Sequence, residues 1–385
     1  MNDMKIRSIE LFQVPPRWLF LKMTTESGLV GWGEPVVEGR AATVAACVRE
    51  MSPYVIGKSA GDTEDVFQTL YRSGFYRGGP ILTSAVSGIE QAMWDIKGKY
   101  YNAPVYDLIG GRVRDRIEVY RWIGGDHPRD TAAAAKEALA QGYHAVKMNA
   151  TDELRWIDTY DKLDAAVERV AAVREAVGNG LRIAVDFHGR VHKTMAKILI
   201  GKLEPYGLMF VEEPVLCENE DEFLEFRRSC RIPIATGERN FTRWGFKSML
   251  AKGGVDIIQP DVSHAGGILE TRKIAAMAEA YDVSVALHCP LGPIALAACL
   301  QVDFTTPNAF IQEQSAGIHY NEEYDLLNYL KNPEVFRYTD GYALRNGAPG
   351  LGIEIDEDYV RKMAAIGHDW HNPVWHDSDG VVAEW

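Results

Sequence analysis

Six short apolar runs between Ile183 and Glu313 restrict what this chain can fold into more than any other feature of it. Each ends on an acidic residue or a histidine: IAVDFH (Asp186, His188), MFVEEP (Glu212), IATGER (Glu238), IIQPD (Asp261), VALHCP (His288) and FIQEQ (Glu313). Successive polar ends are 26, 26, 23, 27 and 25 residues apart. A strand, a loop, a helix and a return loop use that much chain. Continuous apolar runs suit strands buried on both faces. The pattern predicts a ladder of βα rungs with a polar group at the C-terminal tip of each. In a closed (β/α)₈ barrel those tips converge on one mouth, where the chemistry of that fold sits. Packing alone does not explain six polar tips in succession.

Two more strand-like runs, 117–123 (IEVYRWI) and 145–149 (AVKMN), bring the rungs to eight. Helical stretches, TAAAAKEALAQG and one around 161–177, follow them. Repeated alternation of strand and helix argues for a parallel sheet. An open doubly wound sheet would carry a Gly-rich phosphate turn after its first strand. Ile123-Gly124-Gly125-Asp126 is only a weak match to one.

Ahead of the ladder, 5–14, 18–25 and 30–34 read as an antiparallel meander, and the pattern turns helical from Ala41. Strands followed by helices indicate a separate α+β unit. Its boundary is expected near 116, giving an α+β domain over 1–116 and a barrel over 117–332. The tail, 333–385, is expected to fold back onto the first domain.

Composition excludes several classes of function. The formal charge is −13, with no basic patch of the kind a nucleic-acid binder carries. No apolar stretch approaches the ~20 residues of a membrane span, and the first residues lack a signal-peptide pattern. Five scattered cysteines without CxxC fit a reduced, cytoplasmic protein. An acidic chain repels anions, so an anionic substrate would need a local cation to receive it.

Asp186, Glu212 and Glu238 fall on consecutive tips. Neighbouring strands lie ~4.8 Å apart, so the three carboxylates would crowd and repel. A divalent cation removes the repulsion, and all-oxygen ligation favours Mg²⁺ or Mn²⁺ over zinc. Separate salt bridges to Arg190 or Arg239 are the plainer alternative. His188, two residues beyond Asp186, shares its face and points toward the same centre, with a loop histidine bonded to backbone as the alternative. His288 and Asp261 sit on adjacent tips, where the carboxylate would orient the imidazole and raise its basicity. A satisfied buried His–Asp pair is the alternative there, and a stabilising ion pair is the alternative for Glu313. Lys147 offers positive charge for an anion, and Asn149 suits hydrogen bonding to substrate hydroxyls. His144, His192, His264 and His319 read as loop or packing residues. Arg17, Trp18, Glu38, Arg40 and Tyr76-Arg77-Gly78-Gly79 are lid candidates or surface groups.

Such a constellation suits removal of the weakly acidic proton beside a carboxylate. The developing enediolate needs a cation, and the base needs a pKa near neutrality. His288, steered by Asp261, is the candidate base. His188 is the candidate acid, protonating a departing β-hydroxyl, with net loss of water. Glu313 would donate or share a proton with a carboxylate oxygen of the intermediate if it is itself protonated.

The motifs DFHGR (186–190), EEPV (212–215), QPDVSHAGGI (259–268), HCPLGPIALAACL (288–300) and QEQSAGIHYN (312–321) resemble the enolase superfamily, in its mandelate racemase branch. The resemblance implies a capping α+β domain over a modified (β/α)₇β TIM-type barrel. It implies Mg²⁺ on Asp186, Glu212 and Glu238, with proton abstraction by His288, leaving-group protonation by His188, and support from Asp261 and Glu313. It also implies a small anionic sugar-acid substrate, no nucleic-acid or membrane partner, and a homo-oligomer. Racemases of the branch carry a lysine pair ending the second strand. Lys147-Met148-Asn149 stands there instead, which favours a dehydratase over a racemase or epimerase. A metal hydrolase would want more histidine ligands.

Overall fold

The computed structural model describes residues 2–124, 130–321 and 323–385. Gly125 and Asp126 of the weak Gly-rich turn lie outside the described residues. The chain opens with three antiparallel strands, β1 (Ile6–Val14), β2 (Trp18–Thr25) and β3 (Val30–Gly33), ordered β1-β2-β3. Three helices follow, α1 (Ala41–Val55), α2 (Thr63–Arg72) and α3 (Pro80–Tyr101), then a single turn, α4 (Val105–Leu108). Glycine decides how closely β3 lies on α3. A Cβ at Gly33 would stand 1.9 Å from the Gly88 carbonyl oxygen, and one at Gly31 would stand 2.1 Å from that of Ala92. Any side chain there would push the helix off the sheet.

The ladder forms a curled parallel sheet of seven strands: β5 (Arg121–Trp122), β6 (Ala145–Asn149), β7 (Arg182–Asp186), β8 (Phe210–Glu212), β9 (Ile234–Thr236), β10 (Ile257–Ile258) and β11 (Ser284–Val285), paired in chain order. A helix follows each: α5 (Thr131–Ala140), α6 (Tyr160–Val177), α7 (Lys193–Leu203), α8 (Glu220–Ser229), α9 (Thr242–Lys252), α10 (Ile268–Ala280) and α11 (Pro293–Asp303). The eighth rung is not a full strand. It makes isolated parallel bridges, Val285↔Ala309 on one side and Val119↔Gln312 on the other. The Phe310 N–H donates to the Val285 carbonyl at 3.1 Å, and that of Gln312 to Glu118 at 2.8 Å. The two edges of the sheet therefore meet through 309–312.

The run 117–123 differs from expectation. Before the first barrel strand comes β4 (Arg116–Glu118), which pairs antiparallel with β12 (Tyr342–Leu344) from the tail. Only Arg121–Trp122 joins the barrel sheet. The alternating pattern continues through both pieces, so a local reading cannot see that their partners differ.

Tyr120, Ala145, Ala184, Phe210, Ala235, Ile257, Ala286 and Ile311 form their own buried cluster, one from each rung. They plug the barrel. Side chains two residues apart share a face, so the next inward layer holds Trp122, Lys147, Asp186, Glu212, Gln259, His288 and Glu313. The polar site is thus the layer above an apolar floor.

Two buried carboxylates tie the first part of the chain to the barrel. Glu34, just past β3, accepts the N–H groups of Gly292 and Ala295 at the N-terminus of α11, at 2.7 and 2.9 Å. Glu90, on α3, accepts those of Ile268 and Leu269 at the start of α10, at 2.7 and 2.9 Å. Helix N-termini carry unsatisfied donors and partial positive charge, so each carboxylate stands in for a cap. Burial still pushes Glu34 up to about 8 and Glu90 up to about 7. A carboxyl whose folded value is raised binds its proton more tightly when folded. Its contribution is complete below the ordinary value of 4.5 and is lost as pH rises through about 7 for Glu90. Urea midpoints should therefore fall for the parent relative to Glu90→Gln between pH 5 and 8, by at most about 1.4 kcal/mol per pH unit. Equal differences at the two pH values would mean that Glu90 does not titrate in the fold.

The tail first returns to the opening sheet. In α12 (Glu357–Ile366), Glu357 pairs with Lys22 at 2.6 Å and Arg361 with Glu10 at 2.9 Å. Just beyond it the chain still touches that sheet, where Gln13 Nε2 donates to the His368 carbonyl at 2.9 Å and His368 Nε2 meets the Trp18 carbonyl at 3.2 Å. The last residues form a hairpin, closed by the Ala383 N–H on the Trp375 carbonyl at 3.0 Å, and reach the barrel where Asp379 pairs with Arg155 at 3.2 Å. No described helix is long and apolar enough to cross a membrane.

Candidate metal centre and active site

Strand register brings the carboxylates together. Asp186 is the direct cross-strand partner of Glu212, and Asn149 that of Asp186. Glu238 arrives differently. β9 ends at Thr236, and Gly237, with φ 142°, redirects the chain. A Cβ on Gly237 would stand 2.9 Å from the backbone nitrogen of Gln259. One oxygen from each of Asp186, Glu212 and Glu238 lies within 4.8 Å of the others. Glu212 Oε1 and Glu238 Oε2 are buried without a hydrogen bond. Asp186 Oδ2 is likewise unsatisfied, and three crowded carboxylates, each with an unsatisfied oxygen, fit a hard divalent cation. Separate salt bridges to the arginines do not account for them. Arg239 reaches Glu238 only at 3.9 Å and takes Glu213 at 3.0 Å instead.

The electrostatics report the same crowding. Burial, with Asp186 beside it, holds the Glu212 carboxyl well above the usual range. Asp186 is held low: burial opposes this, but the neighbouring His188 and Lys147 outweigh it. Lys147 is fully buried, with its ammonium 2.7 Å from Glu212, 3.0 Å from Glu313 and 3.4 Å from Asp186. Lys147 is thus not a freestanding anion receiver, because three carboxylates already share its charge. The same lysine engages Glu313. It accepts from Lys147, from Trp122 Nε1 at 2.8 Å and from the Cys289 N–H at 2.7 Å. Against burial, Lys147 and His288 bring its pKa down to about 2. In this arrangement Glu313 accepts from three donors.

His288 Nδ1 lies 2.7 Å from Asp261 Oδ2, and the Ser263 N–H holds the other carboxylate oxygen at 2.6 Å. The carboxylate accepts the Nδ1–H, which turns Nε2 toward the cavity, 3.5 Å from Glu238, where it presents a lone pair once the ring is neutral. Burial favours the neutral imidazole, yet Glu238, Glu313 and Asp261 raise its pKa well above the ordinary value. His188 reaches the centre by a turn. The strand ends at Asp186, and His188 has φ 49°, with its N–H donating to Asp186 Oδ1 at 2.8 Å. Its Nε2 stands 3.1 Å from Asp186 Oδ2. Strand alternation therefore named the right neighbour through the wrong geometry.

These groups open into a cavity of about 380 Å³, lined among others by Trp122, Lys147, Asn149, Asp186, His188, Glu238 and His288. Glu212, Asp261 and Glu313 are buried behind it. Arg17 and Glu38 line the far side, paired at 2.9 Å, with Arg17 packed over the Tyr320 ring at 4.7 Å. Of the other lid candidates, Trp18 is a core residue and Tyr76 is exposed. His264, read as a packing residue, lines the cavity and bonds Ser84 at 2.9 Å. His144 pairs with Asp340 at 3.3 Å, and His192 stacks on Trp156. Sequence reasoning missed Glu213, Tyr320, Asn372 and Trp385. Glu213 is buried and pushed up to about 8 by burial, beside Arg239. The doubled acid of EEP was its one visible signal. Nothing local marks Asn372 or Trp385, which enter the cavity from the tail.

Comparison with known proteins agrees with this geometry. Residues 130–359 match the enolase C-terminal domain-like family, and 15–110 match the N-terminal domain of mandelate racemase / muconate lactonizing enzyme. A D-galactonate dehydratase of Pectobacterium atrosepticum is 55% identical over 382 residues, covering 99% of this chain and all of the relative. One from Ralstonia pickettii is 54% identical over the same length, with the same coverage. The solved mandelate racemase/muconate lactonizing enzyme from a Sulfitobacter species superposes with a TM-score of 0.86 at 30% identity, covering 94% of this chain and 95% of that one. A mandelate racemase/muconate lactonizing enzyme-like protein from a Roseovarius species gives 0.88 at 31%, covering 97% and 99%. The chain belongs to the mandelate racemase / muconate lactonizing enzyme family of the enolase superfamily.

Proposed function

We propose that the protein is a Mg²⁺-dependent hydro-lyase that converts D-galactonate to 2-dehydro-3-deoxy-D-galactonate and water. The observation that carries this reading is a carboxylate cluster with unsatisfied oxygens, flanked by His288–Asp261 on one side and His188 on the other. Full-length similarity to relatives named D-galactonate dehydratase supports the substrate.

Asp186, Glu212 and Glu238 would hold the ion, which, when bound, supplies positive charge to the substrate carboxylate and to the enediolate oxygens. His288 Nε2 takes the α-proton, and Asp261 keeps the ring aimed. His188 serves the departing β-hydroxyl. Glu313 supports the intermediate indirectly, by holding Lys147 and Trp122 at the cavity wall. Lys147 then directs shared positive charge toward the substrate carboxylate, and Asn149 bonds its hydroxyls. The division into a cap, 1–116 with 333–385, and a barrel, 117–332, belongs to the same proposal, as do a cytoplasmic setting and a homo-oligomeric state.

A racemase or epimerase needs a base on each face of the α-carbon. Asn149 stands where a second lysine would, and an amide takes no proton at neutral pH. The direct test is incubation of D-galactonate with enzyme and Mg²⁺ in D₂O. Keto acid should accumulate. Deuterium in recovered substrate without keto acid would replace the dehydratase by an isomerase.

A further inference from the structure

We infer that Arg190 is a positioning residue that holds the ring proton of His188 on the nitrogen facing the cavity. The inference deepens the dehydratase reading and rests on it for its kinetic part. Arg190 is 2% exposed, and its Nη2 lies 2.7 Å from His188 Nδ1. A guanidinium has no acceptor lone pair and keeps its protons. At that distance the arginine donates and Nδ1 accepts, so the ring proton resides on Nε2. Trp375, brought across the mouth by the tail, covers the guanidinium at 4.7 Å from its ring centre. The Arg155–Asp379 pair at 3.2 Å holds the tail hairpin in place.

The two histidines are therefore held in opposite tautomers. Asp261 keeps the proton of His288 on Nδ1 and leaves a lone pair at Nε2. Arg190 does the reverse for His188. One ring is set to accept a proton, the other to give one.

In the elimination, the C3–O bond breaks with its electron pair going to oxygen. The Nε2 proton of His188 joins that oxygen, and water leaves. The enediolate electrons form the C2–C3 double bond of an enol. The negative charge left on the His188 ring lies against the Arg190 guanidinium, as a neutral histidine acting as electrophile requires. When the enol becomes the keto acid, C3 takes the proton held by His288, and the enol proton restores His188.

The test uses the full chain, its Arg190→Met and Arg190→Lys variants, and two readouts. Nitrogen-15 spectra of histidine-labelled protein without metal report the tautomer independently of any activity. The parent should show His188 protonated on Nε2 alone, and Arg190→Met should show a mixture. Turnover in D₂O is the second readout. Arg190→Met should lose about 100-fold in keto-acid formation, while deuterium still enters the α-position of recovered D-galactonate. Arg190→Lys should recover part of the loss. With 3-deoxy-3-fluoro-D-galactonate, whose fluoride leaves with little need of a proton, the deficit should shrink to a few-fold. His188 protonated on Nδ1 in the parent would overturn the inference. So would an equal loss of exchange, fluoride release and dehydration in Arg190→Met, the mark of a merely structural residue. If the parent makes no keto acid at all, the dehydratase reading fails, and the spectra still decide the role of Arg190.

Discussion

Replacing His288 with asparagine should lower keto-acid formation by about 10³-fold or more, abolish α-deuterium exchange, and leave metal binding in place. The reason is division of labour. His288 is not one of the three grouped carboxylates, and its Nε2 lies 3.5 Å from the nearest of them. Asparagine removes the imidazole whose Nδ1 Asp261 holds. The thermal midpoint of the variant should still rise with Mg²⁺ as it does in the parent. His188→Asn is the control with the opposite pattern: exchange at the α-carbon persists while water loss stops. A His288→Asn protein that exchanges the α-proton at the parental rate would remove His288 from the role of base.

Glu212→Gln should separate the ion from the fold. Glu212 is fully buried between Asp186, Glu238 and Glu313, with the Lys147 ammonium at 2.7 Å. Burial and like charge already disfavour its ionised form. The amide keeps an oxygen for Lys147 and removes a charge from a crowded cluster. The metal-free variant should therefore be at least as stable as the metal-free parent. Its affinity for Mg²⁺ should fall by about 100-fold or more, since even residues behind the ligands cost 10–100-fold. An ion at 100 times its dissociation constant stabilises the parent by about 2.7 kcal/mol. At the same concentration the variant midpoint should hardly move. Calorimetric titration and thermal melts with and without Mg²⁺ check both parts. A full Mg²⁺ shift in Glu212→Gln would mean that the ion binds elsewhere.

Particular residues show how far local pattern reaches. The six polar tips, the Asp186–Glu212 adjacency and the His288–Asp261 pair were legible because strand alternation and rung spacing are local and periodic. Glu313 was found at the right place, but what holds it there was not legible. Its three donors come from Trp122, Lys147 and Cys289, on other rungs. His188 was found as well, although a turn with φ 49° rather than a strand face brings it in. Arg190 was visible only as a salt-bridge candidate, yet it binds an imidazole. The split of 117–123 into β4 and β5 escaped because β12, the partner of β4, is more than 200 residues away.

The sequence by itself determined the ladder, the apolar floor of the barrel, and which side chains stand at its mouth. Those follow from runs of apolar residues with a period of two and a repeat near 25 residues. Tertiary structure alone decided which charges neutralise one another, which nitrogen of each histidine carries a proton, and that the tail reaches the cavity. Protonation and pairing depend on burial and on distances of about 3 Å between distant segments. No local pattern encodes such distances; they come into being when the sheet curls on itself and the tail crosses its mouth.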